Sequence, residues 1–218
     1  MASRTTARNL RLAIDVGGTF TDVQVLDQAG GGPFAFKVPT TPDDPARGLQ
    51  AAIAGAASAF GFDPADVDLL VHGTTIATNA VLERRFPKAA LVTTQGFEDV
   101  LEIARHMRRD VYGLYAEARH VLVPRRLRFG VPERIGADGG LRQPLDEAAV
   151  QGVVRRIVAA GVETVAICLL NSFANPDHER RVAALLRAAM PGLDLSISSE
   201  VSAEMREYER LSTTVLNA

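Results

Sequence analysis

Near the start of the chain an apolar run, Leu12-Ala13-Ile14-Asp15-Val16, meets a Gly17-Gly18-Thr19 turn. A second run follows, Phe20-Thr21-Asp22-Val23-Gln24-Val25-Leu26, in which polar and apolar residues alternate. Alternation marks a half-buried strand, and a glycine pair between two strands closes an antiparallel hairpin. This stretch commits the N-terminal part of the chain to a sheet. It also has chemistry at its tip. Glycines let a ligand approach the backbone, and successive N–H groups there form a nest for an anion. Thr19 and Thr21 add hydroxyls, and Asp22 lies on the returning strand. A carboxylate at a strand end, Asp15, suits a hydrated Mg²⁺. One reading is therefore a phosphate-and-metal hairpin. The other is an ordinary hairpin whose glycines supply positive φ. The spacing is neither G-x-G-x-x-G nor a P-loop, because no helix follows the glycines.

The order of elements continues as strands alternating with helices. Phe34 to Pro39 reads as a third strand after a Gly-rich turn. Thr41-Pro42-Asp43-Asp44 predicts a helix with Thr41 as N-cap and Pro42 at its first position. Its alanine-rich face carries Leu49, Ala52, Ile53, Ala56 and Phe60, and Gly61 ends it. Val67 to Val71 is a short strand that runs into His72-Gly73-Thr74-Thr75-Ile76-Ala77-Thr78-Asn79, read as strand, turn and helix start. A helix N-terminus with hydroxyls and an amide suits anionic or carbonyl ligands, and His72 is able to carry a proton. The plainer alternative makes a threonine the cap and His72 a loop residue. Ala89 to Thr93 is the next strand.

Glu102 to Arg128 breaks the pattern. It crowds Arg105, Arg108, Arg109 and Arg119 among Asp110, His106, His120, Tyr112 and Tyr115. It reads either as a cap whose arginines meet carboxylate or phosphate, or as a solvated connection. Leu127 to Ile135 reads as a strand, with a returning arm from Leu141. A helix opens at Asp146, with Val150, Val153, Val154, Ile157 and Val158 on its core face. Thr164 to Leu170 is a continuous apolar run, the sign of a central strand covered on both faces. Asn175-Pro176-Asp177-His178-Glu179 opens another helix with Asn175 as cap. Asn171 and Ser172 sit at the carboxyl end of the buried strand, where α/β sheets hold ligands. A strand from Leu193 to Ser198 and a helix from Ser202 to Ala218 complete the order. The pattern predicts a mixed sheet, antiparallel in its first three strands and parallel afterwards, with helical cover.

Composition narrows the partners. A net charge of −2 carries no basic signature for nucleic acid. No run approaches the length of a membrane span. A single cysteine, Cys168, fits a reducing cytoplasm.

Six stretches in order resemble one family: Asp15 to Asp22, His72 to Asn79, Phe97 to Ile103, Val123 to Arg126, Cys168 to Glu179, and Glu207 to Thr214. Together they resemble the N-terminal domain of the hydantoinase A/5-oxoprolinase family, which includes acetone carboxylase β subunits. The resemblance implies a ribonuclease-H-like α/β fold of the actin-like ATPase superfamily. It implies ATP and Mg²⁺ as cofactors, used to open a cyclic amide or to activate a ketone for carboxylation through phosphorylation of a carbonyl or enolate oxygen; the alternative is a noncatalytic or regulatory nucleotide-binding module of the same fold. Asp15 would orient Mg²⁺ through water. Gly17, Gly18, Thr19, Thr21 and Asp22 would form the phosphate site, with His72, Thr74, Thr75 and Asn79 near the substrate cleft. Residues 1–9 read as a disordered start, 10–200 as the family's N-terminal domain, and 201–218 as the truncated start of a following hydantoinase A domain. Gly17-Gly18-Thr19 is the chain's one phosphate motif of this kind, so the other half of the ATP site is expected on a second domain or chain.

Overall fold

Every second residue of Leu10–Val16 (β1) is apolar and buried, while Arg11, Ala13 and Asp15 are exposed. Phe20–Asp27 (β2) pairs antiparallel with β1, and Gly31–Pro39 (β3) pairs antiparallel with β2. Val67–Thr74 (β4) lies parallel to β1 on its other side, which gives the order β3-β2-β1-β4. A computed structural model describes residues 9–107, 112 and 120–218. The described chain falls into two compact units, divided between Phe86 and Pro87.

In the first unit the helix Pro45–Phe60 (α1) lies over β2 and β3. Its Ala52 and Ala56 are fully buried against Leu10, Leu12, Ile14, Val23 and Val25. Small side chains bring the helix close to the sheet, and Phe36 and Phe60 meet edge to face at 6.3 Å. The helix starts at Pro45 rather than Pro42. Asp44 is the cap, its carboxylate accepting the Arg47 N–H at 3.1 Å, and the Thr41 hydroxyl donates to the Asp44 carbonyl. Gly61 ends α1 in the left-handed conformation, as predicted. After β4 comes Ile76–Glu83 (α2).

The second unit is built on Ala89–Thr94 (β5), followed by a short helix Val100–Ile103 (α3) and Arg128–Val131 (β6). Arg134–Ile135 (β7) pairs antiparallel with Leu141–Gln143 (β8). Then come Glu147–Ala160 (α4), Thr164–Cys168 (β9), Asp177–Ala189 (α5), Asp194–Ile197 (β10), Ser198–Val201 (α6) and Glu207–Asn217 (α7). The sheet runs β10-β9-β5-β6, and every pairing is parallel. All five residues of β9 are buried. The helices form two packed groups, α4 with α5 and α7 with α3 and α6, and α5 and α7 both reach β9. Two-sided cover is what a parallel strand with no polar alternation needs.

The strand directions are those predicted: antiparallel at the start, parallel later, with helices between. The strands do not form one mixed sheet but two four-stranded sheets and the two-stranded β7-β8 pair, because β5 pairs with β9 and β6 within the second unit. The final helix begins at Glu207, later than its charge pattern predicts. The cap-like reading of Arg108, Arg109, Asp110, Tyr115 and Arg119 lies outside the described residues, as do residues 1–8. At its described edges Arg105 pairs with Glu209 at 2.6 Å and Arg125 with Asp99 at 2.6 Å.

Candidate functional site

The carboxyl ends of β1 and β4 lie side by side, because the register sets Asp15 opposite Gly73 and Val16 opposite Thr74. The hairpin tip and the start of α2 are therefore neighbours. A Cβ on Gly18 would lie 2.9 Å from Asn79 Nδ2, so the turn and the helix touch through a missing side chain. Within the turn the Gly17 N–H donates to the Phe20 carbonyl at 3.0 Å. The Gly18 and Thr19 amides have no acceptor among the described residues. Neither Gly17 nor Gly18 has a positive φ, so the glycines serve close approach rather than a left-handed turn, and what the turn offers an anion is two adjacent unbonded amides.

Asp15 and Asp22 are direct cross-strand partners. Such pairs share one face of the sheet with Cβ atoms about 5 Å apart, and like charges so placed repel each other. Lys37, the partner of Asp22 on β3, approaches Asp22 Oδ1 at 3.1 Å. Asp15 has only Gly73 on its other side, and a Cβ there would meet nothing within 4 Å. The paired carboxylates thus stand on an open face with room beside Asp15, but Lys37 already neutralises Asp22, and no group of three or more His, Cys, Asp or Glu able to hold a metal stands together among the described residues.

The remaining sequence-read residues divide between the two faces. Thr21 is fully buried on the α1 side, where its hydroxyl lies 3.1 Å from that of Thr40. Thr40 in turn donates to the Gly17 carbonyl at 2.9 Å, and the Thr40 N–H donates to the Thr19 carbonyl at 2.9 Å. Thr21 and Thr40 therefore hold the turn from behind. The Thr74 hydroxyl donates to the Val16 carbonyl and accepts from the Ile76 N–H, both at 3.2 Å. Thr75 and Asn79 form the first turn of α2, and Asn79 Nδ2 lies 3.4 Å from the Thr75 hydroxyl. His72 pairs with Ile14 in register, which places it on the face opposite Asp15. The structure brings together Asp15, Asp22, the Gly17–Thr19 turn, Thr75 and Asn79, and sets His72 and Thr21 on the other side.

The second unit holds a polar cluster that the sequence reading does not contain. Glu179 is fully buried and accepts from Leu169 N–H at 2.9 Å, Ser198 hydroxyl at 2.7 Å and Ser199 N–H at 3.0 Å. Arg210, also buried, donates to the Leu169 carbonyl at 2.9 Å and to Ser198 Oγ at 3.2 Å. Glu133 is buried between the Thr94 hydroxyl, which donates to it, and His178 Nδ1 at 2.8 Å. The Thr94 hydroxyl also accepts from Leu170 N–H, and Glu207 accepts from Asn171 N–H. The loop leaving β9 is thus gripped at successive backbone groups by side chains from several elements. A signal for Glu179 is present in the sequence. It falls on the core stripe of α5 with Val182, Ala183 and Leu186, at i, i+3, i+4 and i+7. Burial pushes the nearby Cys168 thiol up to about 12; Glu179 adds to the rise and Arg210 opposes it.

Residues 11–190 match the family model described as "Hydantoinase/oxoprolinase N-terminal region". Caprolactamase subunit alpha of Pseudomonas jessenii is 41% identical over 95% of this chain and 31% of its own length. The crystal structure of ATP-dependent caprolactamase from the same organism superposes with a TM-score of 0.81 over 95% of this chain and 31% of that one. An acetone carboxylase solved without nucleotide matches with a TM-score of 0.86 at 30% identity, over 96% of this chain and 32% of that one. The 5-oxoprolinase of Saccharomyces cerevisiae is 28% identical over 96% of this chain and 19% of its own length. The chain spans about a third or less of each of these relatives. With the family model matched across most of its length, the chain belongs to the hydantoinase/oxoprolinase family, as the family's N-terminal region.

Proposed function

We propose that this region forms one side of an ATP–Mg²⁺ site and of the substrate cleft in a cytoplasmic, ATP-dependent enzyme that opens cyclic amides. The observation that carries the reading is the Asp15–Asp22 carboxylate pair beside the unbonded Gly18 and Thr19 amides. In this reading the Gly18 and Thr19 N–H groups and the Thr19 hydroxyl hold phosphate oxygens. Gly17, Thr21 and Thr40 keep the turn in shape. Asp15, with Asp22 beside it, holds Mg²⁺ through water. Bound Mg²⁺ neutralises phosphate charge as the phosphoryl group is transferred. Thr75 and Asn79 face the turn from α2 and are placed to meet a substrate carbonyl. Thr74 supports the turn through its bond to the Val16 carbonyl, while His72 lies on the other face of the sheet. Identity to the caprolactamase subunit favours a lactam-like ring over other carbonyl substrates. The acetone carboxylase match favours a second reading, in which the same grip activates a ketone for carboxylation.

Residues 10–200 are the N-terminal domain in this account, and 201–218 lead into the next. Phosphoryl transfer needs charge stabilisation from both sides of the phosphate. The region by itself then binds nucleotide weakly and turns nothing over, and a further domain or chain completes the site. Titration calorimetry with Mg·ATP tests this reading. The expected result is weak binding that is lost in Asp15→Asn with the fold intact. Equal binding by both proteins would overturn it.

A further inference from the structure

Of the chain's 24 basic residues all but two are arginines, and the two lysines are Lys37 and Lys88. Lys88 has a structural place, because its ammonium donates to the Ala160 carbonyl at the end of α4. Lys37 has no such place. It stands on the open face of the first sheet with its side chain 55% exposed, and its Nζ lies 3.1 Å from Asp22 Oδ1. Asp22 is itself half exposed, and an ion pair this wet adds little to stability. The register nevertheless puts Lys37 in a particular row. Asp15 faces Asp22 and Asp22 faces Lys37, so one line across β1, β2 and β3 carries two carboxylates and one ammonium.

The ammonium also leans in one direction along the sheet. The neighbours of Asp22 on the same face of β2 are Gln24 on one side and Phe20 on the other. Lys37 Nζ lies 5.0 Å from the centre of the Phe20 ring. Phe20 directly follows Thr19, so the side chain leans toward the turn and not away from it. Its strand is fixed to the turn as well. Thr40, just beyond β3, donates its N–H to the Thr19 carbonyl and its hydroxyl to the Gly17 carbonyl. Among the described residues of these four strands one other arginine or lysine shares the face. It is Arg11, near the end of β1 far from the turn. A lysine is a compact charge on a flexible stem with rotatable donors, able to pass from one oxygen to another, where an arginine fork would hold both oxygens of Asp22.

We propose that Lys37 is a phosphate-binding residue. Its ammonium rests between Asp22 and Phe20 and passes to a phosphate oxygen of a nucleoside polyphosphate held at the Gly18 and Thr19 amides. The proposal rests on the reading of that turn as a phosphate grip, and it supplies the positive charge that two neutral amides lack.

The test uses the chain labelled with ¹³C at the lysine ε carbons and with ¹⁵N in the backbone. Two lysine signals result, assigned with Lys88→Arg. With Mg·ATP the Lys37 signal is expected to move along one binding curve with the Gly18 and Thr19 amides, while Lys88 stays. Lys37→Met keeps the stem over Phe20 and is expected to keep the melting temperature and to weaken nucleotide binding about tenfold or more, because a charge-assisted bond is lost. Lys37→Arg is expected to restore most of that affinity. Amide shifts with a still Lys37 signal, or full affinity in Lys37→Met, overturn the proposal and leave the phosphate reading standing. Mg²⁺ alone moving Lys37 as far as Mg·ATP also overturns it, since a metal then displaces the ammonium from Asp22. A Lys37 signal that moves while Gly18 and Thr19 stay defeats the reading of the turn and, with it, the bond proposed here, as does movement at neither place.

Discussion

Replacing Glu179 with Ala removes the acceptor that three donors share inside the second unit. Leu169 N–H, Ser198 hydroxyl and Ser199 N–H lose partners at 2.9, 2.7 and 3.0 Å. A hydrogen bond to a charged group contributes about 1.5–3 kcal/mol, so the three bonds set an upper bound of roughly 5–9 kcal/mol. Water entering the vacated space and relaxation of Ser198 recover part of this. Arg210 keeps a carboxylate, since Glu207 lies 3.1 Å from its Nη1. The net cost expected is about 3–5 kcal/mol, as for other broken buried charge sites. For a chain of this size that lowers the melting temperature by about 10 °C. Urea unfolding followed by circular dichroism measures it, with hydrogen exchange assigning the shifted transition to the second unit. Glu179→Gln keeps the acceptor toward Leu169 and Ser198 and turns an amide N–H₂ toward the Ser199 N–H, so about half the cost is expected. A loss under about 1 kcal/mol in Glu179→Ala would refute the reasoning, because the β9 loop would then be held by something other than this network.

Three further outcomes follow from other parts of the structure. Cys168, whose thiol burial has pushed to about 12, should not react with an aromatic disulfide reagent until the second unit opens. Since the unfolded thiol ionises near 9 and the folded one only at about 12, stability should fall by up to about 1.4 kcal/mol per pH unit between those two values, with Cys168→Ala flattening the slope. Gly130→Ala places a Cβ 2.8 Å from Gln95 Cα, a backbone contact that cannot rotate away, and should cost about 1–3 kcal/mol in thermal unfolding. The Arg181 guanidinium, bonded to both Glu147 oxygens at 2.7 Å, holds that carboxyl below its ordinary value of 4.5. Its contribution to stability is present above pH 4.5 and fades as pH falls through the lowered value. Carboxyl NMR titration should show Glu147 returning to the ordinary value in Arg181→Gln.

What was legible in the sequence was local. The glycine pair between alternating runs announces β1 and β2, and the unbroken run at Thr164 announces a strand with cover on both faces. The pattern puts the start of α1 at Thr41-Pro42, but Asp44-Pro45 just after it carries the same cap-and-proline signal. Only the Asp44 carboxylate reaching the Arg47 amide decides between them. The division into two four-stranded sheets depends on β5 choosing β9 as its neighbour, a pairing across most of the second unit that alternating strands and helices do not encode. In the site, the pairing of Asp15 with Asp22 follows from the turn, since a hairpin closed at Gly17–Phe20 fixes the register. The separation of His72 from Asp15 is a register effect as well, but between parallel strands joined by a helix, where no turn sets it. Nothing in the local sequence pattern marks Arg128 and Arg210 as buried. Both are buried because carbonyl and carboxylate oxygens surround them, Val123, Glu98 and Glu102 around the first and Leu169, Glu204 and Glu207 around the second.

The central claim is that the Gly17–Thr19 turn grips phosphate. Backbone amide NMR of the ¹⁵N-labelled chain, titrated with Mg·ATP and with Mg²⁺ alone, reads the turn directly. The account predicts downfield proton shifts of the Gly18 and Thr19 amides with nucleotide, smaller changes at Asp15 and Asp22 with Mg²⁺ alone, and no nucleotide shift in Asp15→Asn. Nucleotide shifts that leave Gly18 and Thr19 unmoved while they appear elsewhere in the chain would contradict it.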